Sequence, residues 1–224
     1  MLSSFHFPLS MADGAQRLAS REWGLQRLPV DSYIEPQAPI KRINDGNDLA
    51  FFLTSMAYVD IITFVQQLSQ AMYPWPERNG MVQAWRTLSL HITQSPQVVR
   101  IKVLVQTLAT MLKDTPPEDG AFRYGNAAFR TWYKKLEERT PQLLQQAMPE
   151  NVWNHVQDKD RDGLKKELGE YLLGSFGNAE RLDYGTGHEL SFLAFLGCIW
   201  KLQGFAPSMA GNEERGIVVG IIEP

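Results

Sequence analysis

The amino-acid sequence predicts an all-α protein of about seven helices, because apolar residues return at helical spacing in segment after segment. Helix-start and helix-stop chemistry brackets those segments, and the one strand-like run is the short apolar stretch 216–222. With 224 residues, 44% of them hydrophobic and 11% aromatic, the chain is long enough to bury a substantial core. A formal charge of -3 without any long single-sign run excludes the pattern of a nucleic-acid or polyanion binder. The lone cysteine, Cys198, rules out both a disulfide framework and a cysteine metal site. Its apolar neighbours give it a packing role.

Residues 1–39 carry Pro8, Pro29, Pro36 and Pro39 and read as an extended or mobile lead-in, followed by one helical domain over 40–224. The opening residues lack the basic-then-apolar order of a secretory signal, and the expected compartment is reducing: cytoplasm, with the nucleus as a second location. After the Asn44-Asp45-Gly46-Asn47 turn, Leu49, Phe52, Leu53, Met56, Val59, Ile62, Val65, Leu68 and Met72 predict one long amphipathic helix from Asp48. Residues 73–80 break it, and a further helical segment is expected over 81–91. Ser95 followed by Pro96 is a cap with proline at the first helical position, and Val98, Ile101, Val105, Leu108 and Leu112 continue that face up to Thr115-Pro116-Pro117.

Asn126 caps the next helix, which runs through Phe129, Trp132, Tyr133 and Leu136 and is expected to stop near Thr140-Pro141, with a short companion over 142–148. Asp158, Asp160, Asp162 and Gly163 match the first half of a calcium loop. The match fails at Lys165 and at Gly169, where a bidentate glutamate is needed, leaving a solvated acidic cap and no metal site. Residues 216–222 are apolar and read as a strand or as the first turns of a helix.

The most informative stretch is 174–202, a glycine-punctuated polar loop feeding an almost wholly apolar segment. That segment is too short to cross a bilayer, which takes roughly 20 apolar residues, and it is expected to be a core helix buried on all sides. Two local readings of its start stay open. Thr186-Gly187-His188-Glu189 has capping-box spacing. The same helix start, with glycine allowing close approach and Arg181 offering a planar fork, has the makings of an anion site. No phosphate-cradling loop ending in Gly-Lys-Ser/Thr, dinucleotide fingerprint or nucleophile elbow occurs, and His6, His91, His155 and His188 are too dispersed for local metal spacing. Tyr124-Gly125-Asn126-Ala127 and Phe176-Gly177-Asn178-Ala179 echo each other, each with an arginine close behind, Arg130 and Arg181.

These residues also carry a family resemblance. Ala57-Tyr58 within 48–68, Thr115-Pro116-Pro117, Arg123 to Trp132, Leu172 to Asn178, and above all Arg181-Leu182-Asp183-Tyr184-Gly185-Thr186-Gly187-His188-Glu189 resemble the phosphotyrosyl phosphatase activator family, the protein phosphatase 2A activators, across roughly Ile40 to Leu202. The resemblance implies an all-α fold of core, linker and lid parts, and activation of a phosphatase 2A catalytic subunit with ATP and magnesium. It further implies peptidyl-prolyl cis/trans isomerase activity on a proline-containing peptide segment, with no nucleic-acid or membrane partner. It puts Arg181, Gly185, Thr186 and Gly187 at nucleotide-contacting positions, favouring the anion reading, and keeps Asp183 and Tyr184 as shaping or partner-facing residues. It names no catalytic residue. Family members continue through a Gly-Val-Trp-Gly-Leu-Asp-Asp segment that helps hold metal and nucleotide, whereas this sequence stops at Pro224. The expectation is a C-terminally truncated form whose last apolar residues are exposed. From another functional class, the alternative is a helical phosphatase-binding module that docks through the Tyr124 and Asp183 regions without productive nucleotide binding.

Overall fold

The computed structural model describes residues 24–76, 80–83, 92–120, 125–207 and 211–223. Helix α1 (Gly46–Leu53) begins where the Asp45 side chain accepts from the amides of Asn47 and Asp48. Helix α2 (Met56–Ala71) follows at a 61° bend. The single helix expected over 48–72 is therefore two. Ser55 is the reason, because its hydroxyl accepts from the Tyr58 amide and starts a new helix inside the apolar periodicity. Strands β1 (Trp75–Pro76) and β2 (Val82–Gln83) pair antiparallel, so the expected helix over 81–91 does not begin at Met81. Residues 84–91 lie outside the described residues.

Helix α3 (Pro96–Lys113) starts as expected, with the Ser95 hydroxyl accepting from the Val98 amide. Helix α4 (Ala128–Ala147) runs straight through Pro141, correcting the expected stop at Thr140. Proline removes a helical amide and crowds the preceding turn. Here the buried face of Thr140, Leu143 and Leu144 outweighs that cost, and the Thr140 hydroxyl donates to the Leu136 carbonyl. After the short α5 (Glu150–Trp153), Asp158–Asp160 forms a 3-10 turn leading into α6 (Arg161–Gly174). The acidic cluster there is held by Arg161 and Lys165, which pair with Asp158 and Asp162. Helix α7 (Thr186–Lys201) and α8 (Asn212–Ile217), the latter continued by a π-helical turn at Val218–Ile222, complete the chain.

The contacts run in a circuit. Helix α3 packs on α4, α4 on α6, α6 on α7, α7 on α2, α2 on α8, and α8 with its π-turn back on α3. Inside lie Phe64, Ile101, Leu108, Leu136, Leu144, Leu164, Leu168, Leu172, Phe195 and Ile199. Ile217, Val219 and Ile221 are buried here too, so the closing apolar run is helical, not a strand, and only its end, at Ile222, is exposed. Gly216 and Gly220 let it approach Val98 and Gln94 closely. Helix α7 is not buried on all sides as expected. Its first turns reach the surface, with Leu190 43% exposed, and only the second half, from Phe195 to Trp200, is core.

Residues 24–39 form no helix or strand but lie along the body as a strap. The Leu25 amide donates to Gln67 Oε1, the Leu28 amide to the Lys201 carbonyl and the Ile34 amide to the His155 carbonyl. Trp200 Nε1 returns a bond to the Leu25 carbonyl.

Candidate functional site

The connection from α6 to α7 is a built loop. Gly177 has φ +110, and a Cβ there would sit 2.8 Å from the Asp183 carbonyl oxygen. Only glycine suits that backbone at that spacing. The close approach lets the Asn178 amide donate to the Asp183 carbonyl at 3.0 Å, while the Leu182 amide donates to the Asn178 carbonyl at 2.8 Å. The Asn178 side chain fills the turn, Oδ1 accepting from the amides of Glu180 and Arg181. Leu182 closes it with φ +55, a left-handed conformation uncommon outside glycine.

The first echoing turn packs against the loop that follows the second. Gly125, φ +91, lies so near Leu182 that a Cβ would stand 3.1 Å from the leucine Cβ. Asn126 repeats the Asn178 device, its Oδ1 accepting from the Ala128 amide as well as from Glu118. Along α4, Phe129 lies under Gly177, Arg130 donates to the Ala179 and Glu180 carbonyls, and Trp132 meets Phe176 edge to face at 5.3 Å.

On this base the loop presents its polar residues outward. Arg181 Nε donates to Asp183 Oδ2 at 2.7 Å and Nη2 to Oδ1 at 3.3 Å, a two-pronged pair on the surface. The bond from Arg181 holds the Asp183 carboxyl below its ordinary range, and Asp183 in turn raises the Arg181 guanidinium. Tyr184, 60% exposed, stacks on His188. His188 Nδ1 donates to the Gly174 carbonyl, tying α7 to the end of α6. The partner is a carbonyl, so Nδ1 carries the proton and Nε2 accepts in the neutral ring.

The capping box is not formed. Gly185, fully extended, is the N-cap of α7, no side chain caps the helix, and Thr186 is already its first residue. The first turn exposes Thr186, Gly187 and Glu189, and space around Gly185 and Gly187 is open to at least 4 Å. The predicted residues Arg181, Gly185, Thr186 and Gly187 are all exposed. An uncapped helix start with open glycines suits a phosphate, although the Arg181 fork is already filled by Asp183. Among the described residues no group of three or more His, Cys, Asp or Glu side chains converges on a cation position. Tyr124 lies outside the described residues.

A separate cavity of about 340 Å³ opens between α2 and α7, with Phe52, Phe64 and Leu193 among its walls. Asp60 and Lys201 pair at its rim. Burial pushes the Cys198 thiol there up to about 12. None of the four predicted nucleotide residues lines it.

A family model described as phosphotyrosyl phosphate activator (PTPA) protein matches residues 39–224. The chain belongs to this family. Among curated PTPA-family proteins it is similar to serine/threonine-protein phosphatase 2A activator 1 of Aspergillus oryzae, 46% identical over 188 residues that cover 83% of this chain and 39% of the relative. The serine/threonine-protein phosphatase 2A activator of Drosophila melanogaster is 33% identical over 163 residues, 73% of this chain and 36% of the relative. The chain thus spans less than half the length of these curated relatives. The crystal structure of the PP2A phosphatase activator Ypa1 superposes with a TM-score of 0.62 at 29% identity, over 86% of this chain and 61% of that one. The helical circuit is the fold of this PTPA-family neighbour, as the all-α expectation required.

Sequence reasoning missed Arg130 as part of the site. The only signal was the arginine that follows each echoing turn.

Proposed function

We propose that this chain forms the docking and phosphate-contacting face of an activator of protein phosphatase 2A-type catalytic subunits, working with ATP. The observation that carries the proposal is the loop from Gly174 to Glu189, which leaves the Arg181–Asp183 pair, Tyr184 and the uncapped start of α7 exposed, with Tyr184 stacked on His188 of that helix start. The names of the relatives, phosphatase 2A activators, support the partner. In this reading the free amides at Thr186 and Gly187 hold a terminal phosphate and Gly185 lets it come close. Arg181 adds charge once an incoming group draws it from Asp183. ATP would supply the polyphosphate that bridges activator and phosphatase.

Peptidyl-prolyl isomerisation belongs to the same proposal. The uncatalysed rotation faces a barrier of about 18–20 kcal/mol, and a surface that binds the twisted amide best lowers it without a nucleophile or base. The proline-containing segment of the partner is the substrate in this reading. A reducing compartment, cytoplasm or nucleus, suits the single, partly buried thiol.

The test is calorimetric titration of ATP, with and without magnesium, into the chain alone and into its mixture with the catalytic subunit, alongside a prolyl-peptide assay. Binding that disappears in Arg181→Ala and Thr186→Pro supports the phosphate face. A second reading, a docking module without productive nucleotide binding, is favoured by the occupied Arg181 fork. Subunit binding that survives with no heat from ATP and no isomerase rate above background would select it.

A further inference from the structure

The loop that carries Arg181 and Asp183 is short of internal bonds. Asn178 supplies most of them, through its amide, carbonyl and side chain. Two carbonyls at its outer bend, those of Ala179 and Glu180, point back toward α4. Arg130 meets both, Nε donating to Ala179 O at 3.0 Å and Nη2 to Glu180 O at 3.0 Å. The fork geometry matters here, because a planar guanidinium fixes two acceptors in one plane, which a single ammonium cannot do.

The same bend holds the strained residue of the loop, Leu182 at φ +55, which leans on Gly125 at the approach to α4. A left-handed leucine persists only where its surroundings enforce it. Gly125 makes room for it below, and Arg130 draws in the two carbonyls just before it. Arg181 lies between the clamped carbonyls and the strained leucine, so its backbone direction is set from both sides. Its guanidinium and the Asp183 carboxylate then meet in the two-pronged geometry.

We infer that Arg130 is the positioning residue of this surface: its guanidinium clamps the Ala179 and Glu180 carbonyls and thereby holds Arg181 and Asp183 in the arrangement that a phosphatase catalytic subunit meets. The inference rests on the reading of the loop as the docking face. Arg130 itself touches neither nucleotide nor partner in this account. It acts through the loop.

Arg130→Met keeps a stem of similar reach without donors, and Arg130→Lys keeps one donor. Amide hydrogen exchange on the free, full chain reads the clamp without any partner. In Arg130→Met the amides of Asn178, Arg181 and Leu182 are expected to exchange roughly fivefold faster or more, while those of Trp132 and Leu136 within α4 stay at wild-type rates. Arg130→Lys falls between. Affinity for the catalytic subunit, measured by calorimetry, follows the same order and drops roughly fivefold or more in Arg130→Met. Loop amides unchanged in Arg130→Met overturn the inference. So does unaltered affinity in Arg130→Met when Asp183→Ala, measured alongside, loses binding. If Asp183→Ala and Arg181→Ala both bind the subunit normally, the docking reading itself fails and the inferred role toward the partner falls with it, whatever the exchange rates.

Discussion

Two glycines of the loop should answer the same substitution in opposite ways. Gly177→Ala places a methyl group on a backbone at φ +110, with the Cβ 2.8 Å from the Asp183 carbonyl oxygen. The neighbouring Phe129 and Tyr184 atoms stand at 3.7 Å, ordinary contact, so the whole cost lies in the backbone. The conformation costs about 1–3 kcal/mol. Pushing the carbonyl away also loses the bond from the Asn178 amide, about 0.5–1.5 kcal/mol. A middle value of about 3 kcal/mol corresponds to a fall in Tm of roughly 6–12 °C for a chain of this size. Gly187→Ala, by contrast, adds a methyl group to a helical residue with nothing within 4 Å. It should raise stability by about 0.5–1 kcal/mol, while standing where a phosphate would approach and so weakening any ATP binding. Differential scanning calorimetry and ATP titration on both variants read the two effects. A Gly177→Ala chain melting within about 1 °C of wild type would refute the argument that this backbone needs glycine.

Other expectations follow from the buried polar residues. Burial raises the Glu213 carboxyl above its ordinary value of 4.5, beside Glu214 and against the bonds from Ala206 and Ser95 and the charge of Arg27. The folded chain therefore holds that proton more tightly than the unfolded one, and the contribution to stability is greatest below 4.5 and is lost as pH rises through the folded value. Glu213→Gln should flatten the fall in Tm above pH 4.5, and identical pH profiles would count against it. Ser95→Ala removes both the cap on the Val98 amide and a donor to Glu213, and should cost about 1–3 kcal/mol in urea unfolding with the m-value unchanged. With burial raising its thiol to about 12, native Cys198 should react with iodoacetamide at mildly alkaline pH far more slowly than an exposed cysteine. Denaturant should abolish the difference, and rapid labelling of the native chain would contradict the burial.

Local chemistry was legible in the sequence wherever one turn of chain decides the outcome. Ser95-Pro96 reads as a helix start because cap and proline act within four residues, and the structure begins α3 there. The same logic, applied to Ser55, would have split the helix over 48–72, but the apolar periodicity runs on through the bend and hides it. Pro141 misled for the opposite reason. Its cost is local, while the burial of Leu143 and Leu144 that overrides it depends on α3 and α6, far away in sequence. The Thr186 capping box failed because the bridge between Asn178 and Asp183 fixes the direction from which the chain enters α7, putting Gly185 at the cap. Among the site residues, those from Arg181 to Glu189 are neighbours in sequence and could be found together. Arg130 reaches its acceptors across 49 and 50 positions, a pairing that no local pattern encodes.

The strap along residues 24–39 has a kinetic consequence. The bond between Trp200 Nε1 and the Leu25 carbonyl joins positions 175 apart. Closing a loop of that length costs on the order of 4–5 kcal/mol of chain entropy before any contact repays it. The helical circuit gains most of its contacts over shorter separations, so the strap should dock late in folding and peel away first. Trp200 is 4% exposed beneath it and lies tilted against Phe64 and Phe205. The indole is one of six tryptophans, and its share of the emission should shift red when the strap lifts while the far-ultraviolet signal of the helices still stands.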